Sequence, residues 1–290
     1  MPTISTAPSE SVASLSTGSL ARVVKAADPR ALAALVAKLA PPGIELLVYS
    51  AWSEALPAAV RAFEPLDVPI RTVHGEKRIG GGFGSPDPAL RRAGIDQFKR
   101  SADLAAAVGS RYLSIHLWDL PDSDDDLERN LDAYAEVQPF ARARGLTVLF
   151  EVIPCRKRAP LDNMRHVVRA LGPEALFTLD YEFLSWHGPI ETQLPAIVAE
   201  FGQRIVNLHV RDYDGAPFDA DRRRRYVRPG AGRIPFGAVE AALAAAPRAR
   251  IFTLEAAYSG DGWEAELGCD LRFVGEHARR ASGERRQDTA

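Results

Sequence analysis

The chain reads as one closed (β/α)8 barrel of the α/β class, and three features lead there. Roughly eight short runs of β-branched, aromatic and other apolar residues recur along its 290 residues. Helix-like stretches separate them, and each of the last four runs stops at an acidic residue or a histidine. Runs of this kind suit strands buried on both faces, as in a parallel sheet.

Strands are expected at 12–16 (VASLS), 44–49 (IELLVY), 70–74 (IRTVH), 111–116 (RYLSIH), 146–151, 176–180, 205–209 and 251–255. The first helices open at Asp28 (DPRALAALVAKLA), Ser53 (SEALPAAVRAF), Asp87 (DPALRRAGIDQFKRSADLAAAV) and Asp125 (DDLERNLDAYAEVQPFARAR). Later ones start near Leu161, Ile190, Pro235 and Trp263. Ser and Asp at several starts are good caps, and Pro88 suits a first helical position because its missing N–H would be unpaired there anyway. A doubly wound open sheet is the competing topology, but it gathers ligands at one switch point. Shared chemistry at the ends of four consecutive strands fits a closed barrel better. No linker interrupts the alternation, so residues 1–290 are expected to form one domain, with 1–10 and 281–290 as frayed termini.

The composition, 46% hydrophobic with a formal net charge of −2 and a pI near 6.3, supports a sizeable core and gives no global bias towards nucleic acid or membrane. Cys155 and Cys269 stand alone, which argues against a disulfide framework or a thiolate zinc site and makes a reducing, cytoplasmic setting the expectation. No apolar stretch is long enough to span a bilayer, and MPTISTAPSESVAS lacks the basic and apolar regions of a secretion signal.

Chemistry concentrates at four strand ends: LTVLF before Glu151, ALFTL before Asp180, RIVNL before His209 and RIFTL before Glu255. Asp180 follows Glu151 by 29 residues and His209 follows Asp180 by 29, close to one strand, loop, helix and loop of a parallel unit. One acidic strand end is ordinarily a loop cap or an arginine partner, whereas four in succession point to a shared site. Three carboxylates and an imidazole without a thiolate suit Mn²⁺, Mg²⁺ or Co²⁺, with zinc less favoured.

On this quartet, together with SLSTGSL near the start, GSPDP after the third strand and RPGAGRIPF before the seventh helix, the chain resembles the xylose-isomerase-like TIM barrels. Within them it is most similar to the sugar isomerases and epimerases that include the ketose 3-epimerases. The resemblance implies one divalent metal ion, Mn²⁺ first and Mg²⁺, Co²⁺ or Zn²⁺ as alternatives, held by Glu151, Asp180, His209 and Glu255. It implies a carbohydrate-like small-molecule substrate whose enediolate the metal stabilises, with Glu151 and Glu255 as the acid/base pair. Similar proteins are often dimers or tetramers.

One departure stands out, because many relatives carry a substrate-touching histidine three residues after the aspartate and this chain has Phe183 there; Glu182 and His187 are the nearby substitutes. A metal-dependent dehydratase of a keto cyclitol or a dehydroshikimate-like acid is the alternative on the same site. An endonuclease IV-like DNA-repair enzyme is the third reading. His74 and His116 favour it, but Phe183 and the RRRRYV sequence remove ligands that its metal cluster needs. His74 and His116 are therefore expected to hydrogen-bond the substrate, with internally satisfied packing as the alternative. In HVRD, Arg211 is expected to grip a substrate oxygen and Asp212 to orient an imidazole, a surface ion pair being the alternative.

Arg222, Arg223, Arg224, Arg225 and Arg228, with Arg156, Lys157 and Arg158, lie in loops of the same face and suggest a sugar phosphate or sugar acid, Arg228 being the expected contact. A solvated charge run paired with the DSDDD stretch at 122–126 is the competing account. IGGGFG at 79–84 lacks the signature of a phosphate loop and is expected to be a flexible lid, with Phe83 or Trp118 walling the pocket. Ordinary packing is the alternative for Trp118, Trp186 and Trp263.

Overall fold

A computed structural model describes residues 10–24, 28–52, 55–119 and 127–283. Eight parallel strands close into a barrel in sequence order: β1 (Val12–Ser16), β2 (Ile44–Leu47), β3 (Ile70–His74), β4 (Tyr112–His116), β5 (Thr147–Val152), β6 (Leu176–Asp180), β7 (Ile205–Val210) and β8 (Ile251–Leu254). The seam is the β1–β8 ladder, with Leu15 opposite Leu254. All eight expected strands are present, and the bounds differ by one or two residues. The helices expected from Ser53 and Asp125 are seen from Leu56 and Leu127, their first residues lying at or beyond the edge of the described residues. At the C-terminal end, expected to fray from 281, Ala281 is instead the buried last residue of the final helix.

Among the described residues the helices are α1 (Pro29–Leu39), α2 (Leu56–Phe63), α3 (Ile79–Gly84), α4 (Pro88–Ala107), α5 (Leu127–Arg142), α6 (Pro160–Leu171), α7 (Tyr181–Ser185), α8 (Ile190–Phe201), α9 (Phe236–Leu243) and α10 (Trp263–Ala281), and α1 and α4 start as the sequence suggests. Asp28 accepts bonds from the Arg30 and Ala31 N–H groups at 3.0 and 3.2 Å, and Asp87 accepts from Ala89 at 2.8 Å. Both caps satisfy amides that have no partner in the first turn of a helix, and a proline follows each.

What positions the site is the period of two along the strands, which points alternate residues into the barrel. Tyr112, Leu149, Leu176 and Ile251 form an apolar plug with Val206 and Val12. Two residues further along the same strands come Ser114, Glu151, Thr178 and Thr253, and two further still His116, Asp180 and Glu255. Ser114 and Thr178 are hydrogen-bonded at 3.0 Å, and Thr253 donates to Asn207 at 2.9 Å. The interior thus grades from hydrocarbon through hydroxyl and amide to ionisable groups towards the C-terminal ends of the strands, where barrel enzymes place their chemistry.

The glycine-rich segment corrects the expectation of a lid. It forms α3, packed against α4, α5 and β4. A Cβ built on Gly82 would lie 2.6 Å from the Gly94 Cα of α4. The glycines therefore serve a close crossing of two helix backbones, not a hinge. Phe83 is fully buried and packs on Phe98 at 6.0 Å between ring centroids, so it walls no pocket. Trp118 is buried as well, its indole N–H donating to the Pro154 carbonyl at 3.2 Å.

Candidate functional site

Glu151, Asp180, His209 and Glu255 meet at the C-terminal mouth of the barrel, each offering one ligand atom within 4.8 Å of the others. Glu151 is the hub. Its Oε2 lies 2.8 Å from both His74 Nε2 and His116 Nε2, and its Oε1 lies 3.0 Å from His209 Nδ1. His74, His116 and Glu151 form a second group with ligand spacing. His74 and His116 are thus drawn into the same buried cluster as the quartet.

The protonation of each imidazole follows from what its two nitrogens meet. His209 faces Glu151 and Glu255 through Nδ1, at 3.0 and 3.2 Å, and Glu45 through Nε2 at 3.0 Å. With acids on both sides the ring holds both protons. Burial disfavours the charge, but the surrounding carboxylates outweigh it and raise the pKa well above the usual histidine value. His74 behaves likewise, since Nδ1 meets the Gly75 carbonyl at 2.7 Å and Nε2 meets Glu151, so its pKa is raised against the effect of burial. His116 Nδ1 has no hydrogen-bond partner among the described residues, and there burial prevails and lowers the pKa.

The carboxylates divide in the same way. Burial works to raise Glu151, but the charges and hydrogen bonds of His209 and His116 hold it well below the usual range. Glu255, opposed by burial but held by Arg211 and His209, is also lowered. Asp180 is pushed up to about 7, because burial and the neighbouring acids Glu255, Glu182 and Glu151 outweigh Arg211. Asp180 also caps α7 (Tyr181–Ser185), its Oδ1 accepting from the Phe183 N–H at 2.9 Å. The strand-end position that aims Asp180 into the barrel is thus also the N-cap of the helix that follows.

Arg211 is buried and is neither a surface ion pair nor open to solvent. It contacts Asp180 at 2.6 Å, Glu182 at 2.6 Å and Glu255 at 3.2 Å, and its guanidinium lies over the Phe183 ring at 4.6 Å. Phe183, the departure noted in the sequence, is the apolar face on which this cation rests. Glu182 pairs with Arg211 and Arg224, and His187 Nε2 accepts from the Cys155 N–H at 2.9 Å, so neither nearby substitute stands free for a substrate. Asp212 does not orient an imidazole. Buried, it accepts from the N–H groups of Tyr213, Gly230 and Ile234 at 2.7, 2.9 and 3.0 Å and shapes the β7–α9 loop, α9 being Phe236–Leu243.

The arginine-rich loop is largely neutralised from within the described residues. Arg224 binds Glu182, Arg225 binds Asp214, and Arg228 binds Asp270 at 2.7 Å and Glu266 at 2.8 Å. The partner expected for the run, 122–126, lies outside the described residues. Glu45 is a site residue that the sequence reading did not single out, and the pairing of Glu182 with Arg211 and Arg224 was not foreseen. Glu45, a lone acid in an otherwise apolar strand run, was the available signal; it accepts from Thr72 at 2.8 Å and Asn207 at 3.0 Å beneath His209.

Three carboxylates and an imidazole of this spacing fit a hard or borderline divalent cation, and the donor set lacks the thiolates of a structural zinc site. Beside the cluster opens a cavity of about 510 Å³ with Glu255 in its wall, large enough to admit a small polar ligand.

The sequence of residues 19–276 matches the family model described as xylose isomerase-like TIM barrel. A search among curated proteins finds no match. Among solved structures the chain is similar to 3-keto-D-glucoside 4-epimerase YcjR from E. coli, with a TM-score of 0.62, 15% identity and coverage of 86% of this chain and 94% of that one. It is similar to D-allulose 3-epimerase from Methylomonas sp., with a TM-score of 0.64, 16% identity and coverage of 95% and 97%. It is also similar to the IOLI protein with a bound zinc atom, with a TM-score of 0.67, 15% identity and coverage of 94% and 98%.

Proposed function

We propose, from the premise that the chain belongs to the xylose isomerase-like TIM barrel family, that it is a divalent-metal-dependent isomerase or epimerase of a sugar, sugar phosphate or sugar acid. The observation that carries the reading is the convergence of Glu151, Asp180, His209 and Glu255 at the barrel mouth. Solved structures of similar fold include enzymes named as sugar epimerases, which agrees with it.

Glu151, Asp180, His209 and Glu255 would hold the ion, Mn²⁺ in the first instance. When bound it supplies Lewis acidity towards a carbonyl and its neighbouring hydroxyl, easing loss of the proton on the carbon that carries the hydroxyl. Glu151 and Glu255 are the acid/base pair: one, ionised, takes that proton, and the other, once protonated from solvent, delivers a proton to the neighbouring carbon for isomerisation or to the opposite face for epimerisation, both carboxyls then exchanging with water to restore the starting state. Both are ionised at neutral pH, as the first proton acceptor must be. His74 and His116 fix the Glu151 carboxylate through its Oε2, and Arg211 fixes Glu255 while balancing the negative charge of Asp180 and Glu182. Their orientation lowers the cost of bringing a carboxylate to the reacting carbon.

Metal content by mass spectrometry, on the protein and on Glu255→Ala after incubation with Mn²⁺ and desalting, tests the site. About one ion per chain, lost in the variant, is expected. Chains that retain no metal in either form would remove the basis of the proposal. Exchange of substrate C–H protons for deuterium, screened over ketoses, ketose phosphates and keto acids, tests the chemistry, and a product that has lost water would move the reaction to the dehydratases.

A further inference from the structure

We propose that Arg22, Lys77 and Arg78 form a receptor for an oxyanion at the end of the substrate remote from the metal ligands, a phosphomonoester or a carboxylate. The inference rests on the proposed sugar chemistry and names the class of sugar.

The 510 Å³ cavity is built from loops at the C-terminal ends of neighbouring strands across the barrel seam. Arg22 follows β1, Tyr49 follows β2, Lys77 and Arg78 follow β3, Tyr226 follows β7 and Glu255 ends the run of β8. The metal-ligand quartet comes from β5 to β8, on the other half of the ring. A small molecule with one end at Glu255 therefore extends over β1 to β3, where the three cations stand.

Those cations differ from the arginines of the β7–α9 loop in being uncommitted. Arg224, Arg225 and Arg228 are tied to acids of the protein itself. Lys77 and Arg78 have no carboxylate partner among the described residues, and Arg22 only lies over the Tyr226 ring at 5.7 Å. The cavity's remaining acid, Glu76, is buried and already engaged, its Oε1 accepting from Ser50 Oγ at 2.7 Å and Gln97 Nε2 at 3.1 Å. Tyr49 also lines the cavity, and its buried phenolic oxygen has no hydrogen-bond partner among the described residues. Uncommitted cations around one cavity match the acceptor oxygens of an anion, which two guanidinium forks and an ammonium bind in charge-assisted bonds. The anionic preference read in the sequence thus moves from the arginine-rich loop to the loops after β1 and β3.

The test is calorimetric titration of the protein as purified with inorganic phosphate, and separately with acetate, at constant ionic strength, on wild type and on the triple variant Arg22→Ser, Lys77→Ala, Arg78→Ala. All three side chains belong to exposed residues, and unchanged circular dichroism and melting confirm the variant's fold. Saturable phosphate binding, weakened about tenfold or more in the variant, is expected for a sugar phosphate. The same loss with acetate alone supports a sugar acid. Absence of saturable binding of either anion, or binding that the variant leaves unchanged, overturns the proposal, the latter placing the anion on the metal. Deuterium exchange with D-fructose and D-fructose 6-phosphate separates the two levels. Phosphate binding without exchange in any screened sugar leaves the receptor standing and defeats the isomerase reading. Exchange of neutral sugars by a protein that binds neither anion does the reverse.

Discussion

At the scale of single residues, Glu151 is held by three imidazoles and offers both oxygens to them. Glu151→Gln keeps the shape and removes the base, so the fold is expected to survive while substrate proton exchange falls by about 10² to 10⁴. Turnover at the wild-type rate would show that the carboxylate is not in the proton path. Arg211 has a different duty, compensating three buried acids at once. Arg211→Met is expected to lower stability by about 3–5 kcal/mol, the usual cost of leaving buried charge unpaired. Since two of the three acids are proposed metal ligands, Mn²⁺ should restore part of the loss in a thermal melt, and a melt insensitive to Mn²⁺ would count against that assignment. The acids and the histidine were legible in the sequence because each closes an apolar run. Arg211's contact with Glu182 and Arg224's reach across from the next loop were not, because they depend on how β6 and β7 bring their following loops together.

At the scale of elements, the strands were legible to within a residue or two, since a parallel strand buried on both faces leaves a continuous apolar run. The finer signal within the same runs is the alternation Tyr112, Ser114, His116 and Leu176, Thr178, Asp180, in which every second residue becomes more polar towards the mouth. Glu45 does not follow that pattern, since Leu47 stands two residues nearer the mouth, and its signal is the lone acid in an apolar run. The glycine-rich α3 misled, because glycine serves a hinge and a close backbone crossing equally well and only the partner decides. Gly94, the partner, sits inside α4, where nothing in the sequence marks it. Gly82→Ala is therefore expected to destabilise by about 1–3 kcal/mol through overpacking, because the clash is with backbone. Gly237→Ala, with nothing within 4 Å of the added Cβ in α9, should be neutral or stabilising by up to about 1 kcal/mol. Equal effects in chemical denaturation would mean that the α3–α4 crossing is not close.

At the scale of the whole molecule, closure of the barrel gathers more acid at one end than the local cations fully balance, and protons make up part of the difference. His209 holds both ring protons because its pKa is raised well above the ordinary value, and Asp180 titrates near 7. A raised histidine pKa contributes stability that is present at low pH and lost as pH rises through the folded-state value. A raised aspartate pKa acts in the same sense, because the folded state binds the proton more tightly than the unfolded chain and stability falls as pH climbs from about 4 towards 7. Metal-free protein should therefore lose stability on the alkaline side. A divalent cation needs His209 neutral and Asp180 ionised, so it displaces these protons and takes over their electrostatic role. Mn²⁺ uptake is accordingly expected to release about one to two protons per ion at pH 7, to tighten as pH rises, and to raise the melting temperature more at pH 8 than at pH 6. Calorimetric titration in two buffers of different ionisation enthalpy measures the proton count. Mn²⁺ binding without proton release, and with an affinity independent of pH, would mean that the ion does not enter the cluster around His209.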